Sequence, residues 1–178
     1  DESTSIGASE PDVEAGVLAF VNSISCTGVQ LAVVEFNNQA RFVLDTSTVW
    51  YHNVDNNVVT AITAYNTNGT NSLLLNSADY SPNSGTNYTN WHSAMLAVDH
   101  IPEAPNLVIF FTDGVPTKVY LTNPPPNFGT DGTQCGGTGA PELAEYENPA
   151  KVANKLKCEG VHMFVADEDA FFGRMTPE

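Results

Sequence analysis

Three oxygen-bearing side chains alternate at the start of the chain. Asp1, Ser3 and Ser5 carry a carboxylate and two hydroxyls, all hard oxygen donors. Side chains at alternating positions of an extended or turning segment can converge on one point, and oxygen is the ligand that Mg²⁺ and Ca²⁺ prefer. The alternative is that the two serines are ordinary loop or capping hydroxyls. The cluster therefore predicts a cation site only if other segments supply matching oxygens.

Two other segments carry such oxygens. Thr86 lies in "SGTN", directly before a predicted helix, and Asp113 ends the apolar run "NLVIFFTDG". Ligands of open α/β sheets bind at the carboxyl ends of strands, where the strand order reverses. Thr70, in the similar "NGTN", is the rival of Thr86, but no clear helix follows it. Asp113 has the alternative of simply starting a turn with Gly114.

The elements that must position these residues alternate between helix and strand. Apolar spacing predicts helices over residues 10–25, 54–65, 91–100 and 142–157. Apolar runs predict strands over residues 29–36, 40–45, 106–114 and 161–167, with the second antiparallel and at an edge. The alternation predicts an α/β fold with a doubly wound, mostly parallel sheet and helices on both faces. We expect residues 1–178 to form a single domain that lacks its first strand and last elements, as a fragment of a larger protein.

The order of these motifs resembles the von Willebrand factor A domain. D-x-S-x-S, then G-T-N before a helix, then an apolar strand ending in T-D-G, is that family's pattern, although Thr4 replaces the usual glycine. "FFTDGVPT" and "SGTNYTNW" look most like the microbial and algal surface-protein branch. The resemblance implies a metal-ion-dependent adhesion site that holds one Mg²⁺ or Ca²⁺. Its ligands would be Asp1, Ser3, Ser5, Thr86 and Asp113, and an acidic side chain of a protein partner would complete the shell.

Composition narrows the class of function. The chain has 6 basic and 21 acidic residues, a net charge of −15, so it lacks the clustered cations that nucleic-acid binding requires. No apolar run is long enough to insert into a membrane. Few lysines, many asparagines and two glycosylation sequons favour an extracellular or cell-surface glycoprotein. Asn68 is the better acceptor, because a glycan on Asn87 would lie beside the predicted metal.

Cysteines and histidines add no second site. Cys26, Cys135 and Cys158 do not have zinc-motif spacing, and we do not expect Cys26 to bond to Cys158. The histidines are scattered without ligand spacing, and we expect structural roles for all of them: His52, His92, His100 and His162.

Three functions remain in competition. The first is an extracellular binding module that captures a partner carboxylate through the cation. The second is a structural domain of a surface or filament assembly, with an empty or purely structural metal site. The third and most remote is a Mg²⁺-dependent phosphohydrolase built on Asp1 and Asp113. It would need a basic residue near the phosphate, and of the basic residues only Lys118 is near the proposed site. The sequence therefore favours a binding module over an enzyme.

Overall fold

The described part of the protein contains three helices and eight short strands. The computed structural model describes residues 1, 10–43, 51–54, 88–112, 114–122, 129, 132–134 and 143–167. The helices are α1 (Glu10–Ser23), α2 (Trp91–Asp99) and α3 (Leu143–Cys158). The strands are β1 (Gln30–Leu31), β2 (Val33–Phe36), β3 (Ala40–Val43), β4 (His52–Asn53), β5 (Leu107–Thr112), β6 (Lys118–Val119), β7 (Thr133–Gln134) and β8 (His162–Asp167).

These strands pair two by two. β1 pairs with β4, β2 with β3, and β6 with β7, all antiparallel, whereas β5 and β8 are parallel. The β2–β3 pair is a hairpin, because the three residues between the strands are too few for a crossover to a parallel strand. In this hairpin Glu35 lies opposite Arg41, and the two side chains form an ion pair.

The parallel pair is the longest among the described strands. β5 and β8 are in register from Leu107 opposite His162 to Thr112 opposite Asp167. α3 lies between them in the chain, which gives the β–α–β order that parallel strands need. The carboxyl ends of both strands therefore share one edge, and Thr112 is the last residue of β5 at that edge.

Two apolar clusters hold these elements together. The larger one joins α2, the β2–β3 hairpin and β5, and the rings of Phe36 and Phe110 stack in it with centroids 5.2 Å apart. Trp91 packs edge-on against Phe110 and so attaches α2 to β5. The smaller cluster packs α1 against the β1–β4 region through Val21 and Val54.

The sequence predicted the α/β class, most element positions and the antiparallel pairing of β3, but not the arrangement of the other strands. The observed bounds of all three helices and of β2, β3, β5 and β8 fall within a few residues of the predicted ones. Among the described strands, however, only one pair is parallel, and the pairs do not join into the single, mostly parallel sheet that was expected. Of the helix predicted over residues 54–65, all but Val54 lies outside the described residues.

Burial also differs from the prediction. The apolar run that forms β8 is typical of a buried strand, yet Phe164 and Val165 are each 65% exposed. In β5, the side chains of Leu107 and Ile109 are exposed as well. Only one face of β5, the face of Phe110 and Thr112, is buried, because α2 covers that side.

Candidate functional site

Asp1 lies at the carboxyl end of β5. Its backbone nitrogen donates to the carbonyl oxygen of Phe111 at 3.3 Å, and its carboxylate Oδ2 accepts a hydrogen bond from the Thr112 hydroxyl at 2.6 Å. The residue is only 9% exposed. The fold thus brings the first residue of D-x-S-x-S beside the strand that directly precedes Asp113 in the chain.

Thr112 orients the Asp1 carboxylate. Its hydroxyl accepts a hydrogen bond from the Trp91 indole Nε1 at 3.2 Å. A hydroxyl has one proton, and the short contact with Asp1 takes it in preference to the carbonyl oxygen of Gly114 at 3.5 Å. Thr112 is 2% exposed, so this alignment is shielded from water.

This alignment suits a hard cation. A carboxylate that binds metal is commonly held in place by a hydrogen-bond donor outside the coordination shell. Thr112 supplies such a donor to Asp1, and the carboxylate is an oxygen ligand of the type that Mg²⁺ and Ca²⁺ select. Sequence reasoning did not assign Thr112, although a polar residue at the end of an apolar strand was a visible signal.

The start of α2 is linked to this carboxylate through a side chain. Asn90 caps the helix, because its Oδ1 accepts a hydrogen bond from the backbone N–H of Ser93 at 3.0 Å. Trp91, the next residue, reaches Thr112 with its indole. The first residue of α2 is thus linked to the Asp1 carboxylate through the Thr112 hydroxyl.

The turn between β2 and β3 holds the segment that leads into α2. Asn38 accepts through its Oδ1 from the backbone N–H of Tyr88 at 2.8 Å, and through its carbonyl oxygen from the Asn90 side chain at 2.9 Å. The backbone N–H of Asn90 donates to the carbonyl oxygen of Asn37 at 2.9 Å. These buried asparagines fix residues 88–90, which directly follow the predicted ligand segment in the chain.

Gly132 closes over the same asparagines. Its backbone N–H donates to the carbonyl oxygen of Asn38 at 3.3 Å. A Cβ at this position would lie 2.5 Å from the Asn90 Nδ2, closer than any real contact of that kind. Glycine is therefore required here, because the chain passes too close to Asn90 for a side chain.

The segment after β5 returns to residue 89. The backbone N–H groups of Thr117 and Lys118 donate to the carbonyl oxygen of Thr89 at 2.8 and 3.1 Å. The backbone N–H of Thr89 donates to the Thr117 hydroxyl at 3.0 Å. Lys118 is 8% exposed, and its Nζ lies 4.9 Å from the centre of the Tyr88 ring.

His92 has the structural position that the sequence predicted for it. It is 6% exposed on α2, and its ring lies 5.4 Å from that of Tyr120. Burial, and secondarily the positive charge of Lys151, lowers the pKa of His92 from 6.5 to about 4. His92 is therefore neutral at physiological pH, as a packing residue of the core should be.

The other predicted site residues lie outside the described residues. These are the metal ligands Ser3, Ser5, Thr86 and Asp113, and the sequon asparagines Asn68 and Asn87. Within the part of the chain that the structure describes, no three His, Cys, Asp or Glu side chains are grouped so that they could hold a metal ion. The predicted metal ligands differ from such a group, because three of the five side chains are serine or threonine hydroxyls.

The remaining sequence features give no further candidate. Cys26 and Cys158 are both exposed and free, so they are not bonded to each other, and Cys135 lies outside the described residues. None of the helices in the described ranges has the length and apolar character needed to cross a lipid bilayer.

Comparison of the chain with protein-family models, with characterised proteins and with solved structures finds no match.

Proposed function

We propose that the protein is an extracellular, metal-dependent adhesion module that captures the carboxylate of a protein partner, including a glycan-bearing one. One Mg²⁺ or Ca²⁺ would be held by five side chains: Asp1, Ser3, Ser5, Thr86 and Asp113. The observation that carries the proposal is the 2.6 Å hydrogen bond by which buried Thr112 orients the Asp1 carboxylate at the carboxyl end of β5.

Position in the fold supports this choice. The Asp1 carboxylate lies at the edge where parallel strands β5 and β8 both end, which is where α/β sheets bind ligands. We further propose that the complete domain is doubly wound, with this edge at the reversal of its strand order. The motif order that resembles the von Willebrand factor A domain fits the same arrangement.

Chemistry supports a binding role. Mg²⁺ can bind more oxygens than the two carboxylates and three hydroxyls supply, and some of these groups would bind only through a water molecule. An outside oxygen can therefore join the coordination shell. The net charge of −15 attracts cations to the surface and would repel an acidic partner without one. A bound cation reverses the local sign and allows an acidic partner to approach.

Calorimetric titration with Mg²⁺, Ca²⁺ and Mn²⁺ tests the proposal. Asp1→Asn preserves the shape of the side chain but removes its charge, and should lower the affinity at least tenfold. Glu159→Gln, on an exposed residue after α3, removes the same charge elsewhere and should leave the affinity unchanged. Wild-type protein that binds none of the three metals, or an Asp1→Asn variant that binds as tightly as wild type, would overturn the proposal and favour a structural domain.

A further inference from the structure

Strand β8 has a described partner on only one side. It pairs with β5 along its whole length, and no other described strand pairs with it. The backbone N–H of His162 donates to the carbonyl oxygen of Asn106, just before β5. In a parallel ladder a residue directs its N–H and C=O to the same side, and the next residue directs them to the opposite side. Met163 and Val165 therefore direct theirs away from β5, to an edge that no described strand occupies.

The side chains at this edge are apolar and exposed on both faces of the strand. Phe164 and Val165 are each 65% exposed, and consecutive residues of a strand face opposite sides. Phe164 lies opposite Ile109, which is 50% exposed, so the apolar surface continues from β8 onto β5. A strand placed beside β8 would therefore remove apolar surface from water on both faces, which is favourable.

The edge also lacks the features that usually keep other strands away. Proteins protect open edges with lysine or proline residues, with bulges or with very short strands. The sequence of β8, "HMFVAD", contains neither lysine nor proline. All six of its residues pair with β5 in an unbroken register, so the strand is neither bulged nor very short. Such an edge is a template for a further strand.

We propose that the outer edge of β8 binds an extended segment of a partner protein, which adds to the β5–β8 pair as a third strand. In this mode of recognition, backbone hydrogen bonds provide affinity and alternate side chains provide specificity. The backbone groups of Met163 and Val165 would form those bonds, and apolar side chains of the segment would pack beside Phe164. This surface goes beyond the metal-dependent function and does not rest on it.

Charge indicates which kind of segment fits. Three consecutive acidic residues, Asp167, Glu168 and Asp169, stand in the sequence where β8 ends, and the whole chain has a net charge of −15. This charge attracts an apolar segment that is flanked by lysine or arginine. It also repels a second copy of the chain, which carries the same −15. A basic partner segment is therefore a better match than self-association.

Hydrogen exchange measured by NMR tests whether the edge is open. In dilute free protein, the amides of Met163 and Val165 should exchange at least tenfold faster than those of Phe164 and Ala166, which are directed to β5. Equal protection of all four amides would show that the edge is already covered and would overturn the proposal. Protection of Met163 and Val165 that rises with protein concentration would also overturn it, in favour of a second copy.

A synthetic peptide tests binding directly. The probe has alternating valine and threonine residues between two lysines at each end, with both termini blocked. Its addition should slow exchange at Met163 and Val165, and fluorescence anisotropy of a labelled form should give a saturable affinity in the presence of EDTA. A peptide with glutamate in place of lysine should bind at least tenfold more weakly. Absence of binding by the lysine peptide, or equal binding of both peptides, would overturn the proposal.

Two N-methylated forms of the lysine peptide test the backbone bonds. One form is methylated on every valine nitrogen and the other on every threonine nitrogen, so each lacks donors along one edge only. Because only one edge of the peptide can face β8, one form should bind at least tenfold more weakly than the other. Equal affinity of both forms and the unmodified peptide would contradict strand addition.

Variants of the protein test the same contacts from the other side. Val165→Pro removes an N–H that is directed away from β5, a position where edge strands tolerate proline, and should weaken peptide binding at least tenfold. Val165→Thr keeps that N–H and should bind like wild type. Phe164→Ser changes no backbone group and should weaken binding at least threefold, whereas Leu143→Ser, at a residue that is 70% exposed on α3, should not. Wild-type affinity in both Val165→Pro and Phe164→Ser would overturn the proposal.

Discussion

Replacing Thr112 by valine is the sharpest test of how the Asp1 site is built. Valine has nearly the same shape as threonine, so the change removes the hydroxyl without opening a cavity. Two hydrogen bonds are lost, one to the Asp1 carboxylate at 2.6 Å and one from the Trp91 indole at 3.2 Å. The buried carboxylate then has one donor fewer, and the indole N–H has lost its acceptor.

The expected loss of stability follows from these contacts. A hydrogen bond to a charged group contributes about 1.5–3 kcal/mol to the free energy of unfolding. Trp91 is only partly buried, so water can replace most of its lost bond. We expect Thr112→Val to lower the free energy of unfolding by about 2–3 kcal/mol, which corresponds to a fall in Tm of roughly 4–12 °C for a chain of this length.

Urea unfolding followed by tryptophan fluorescence measures this difference, and a double-mutant cycle assigns it. Thr112→Val, Asp1→Ala and the double variant should give a coupling energy of about 1.5 kcal/mol or more, because both single changes break the same bond. Thr112→Ser keeps the hydroxyl and should retain that coupling. A coupling energy below about 0.5 kcal/mol would refute the view that Thr112 holds the Asp1 carboxylate.

Three further predictions concern the pH dependence caused by His92 and the packing at two glycines. His92 binds its proton in the native state only near pH 4 but near pH 6.5 when unfolded, so stability should fall as the pH drops from 6.5 to 4. At about 1.4 kcal/mol per pH unit, this fall is at most about 3 kcal/mol, and His92→Gln should remove that part of the pH dependence measured by urea unfolding. A variant that keeps the full dependence would contradict the assignment. Gly132→Ala should destabilise the protein by about 1–3 kcal/mol because its Cβ would collide with Asn90. Gly16→Ala, in the middle of α1 with open space around it, should instead stabilise the protein by about 0.5–1 kcal/mol. Equal melting temperatures for these two alanine variants would argue against the close approach at Gly132.

The helices and longer strands could be predicted from the sequence because their signals are local. Apolar residues at helical spacing indicated α1 and α2, and the apolar run before Thr112 indicated β5, with bounds close to those observed. The two asparagines at residues 37 and 38 are likewise a local signal for the observed turn, since asparagine favours turns. Short strands such as β6 and β7 were missed, because two residues are too few to show a period.

Pairing and burial could not be read from these local signals. Phe164 and Val165 belong to an apolar run typical of a buried strand, yet both are largely exposed. The run specifies an extended backbone, but which face is covered depends on where helices from distant parts of the chain pack. For the same reason the sequence did not reveal that the hairpin β2–β3 pairs separately from β5.

The candidate site shows the same division between sequence and tertiary structure. The sequence by itself predicted Asp1 as a cation ligand and placed Asp113 at the carboxyl end of β5, because residue chemistry and strand position are encoded locally. Only the tertiary structure decided that Thr112 orients Asp1, that Asn38 holds Tyr88, and that Lys118 is buried without a counter-ion in the described chain. Contacts of this kind join residues that are far apart in the chain. The hydrogen bond of Thr89 to Thr117 joins residues 28 apart, and that of Thr112 to Asp1 joins residues 111 apart. Such contacts form only when apolar burial brings distant segments together, and no local pattern of residues encodes which polar groups then meet.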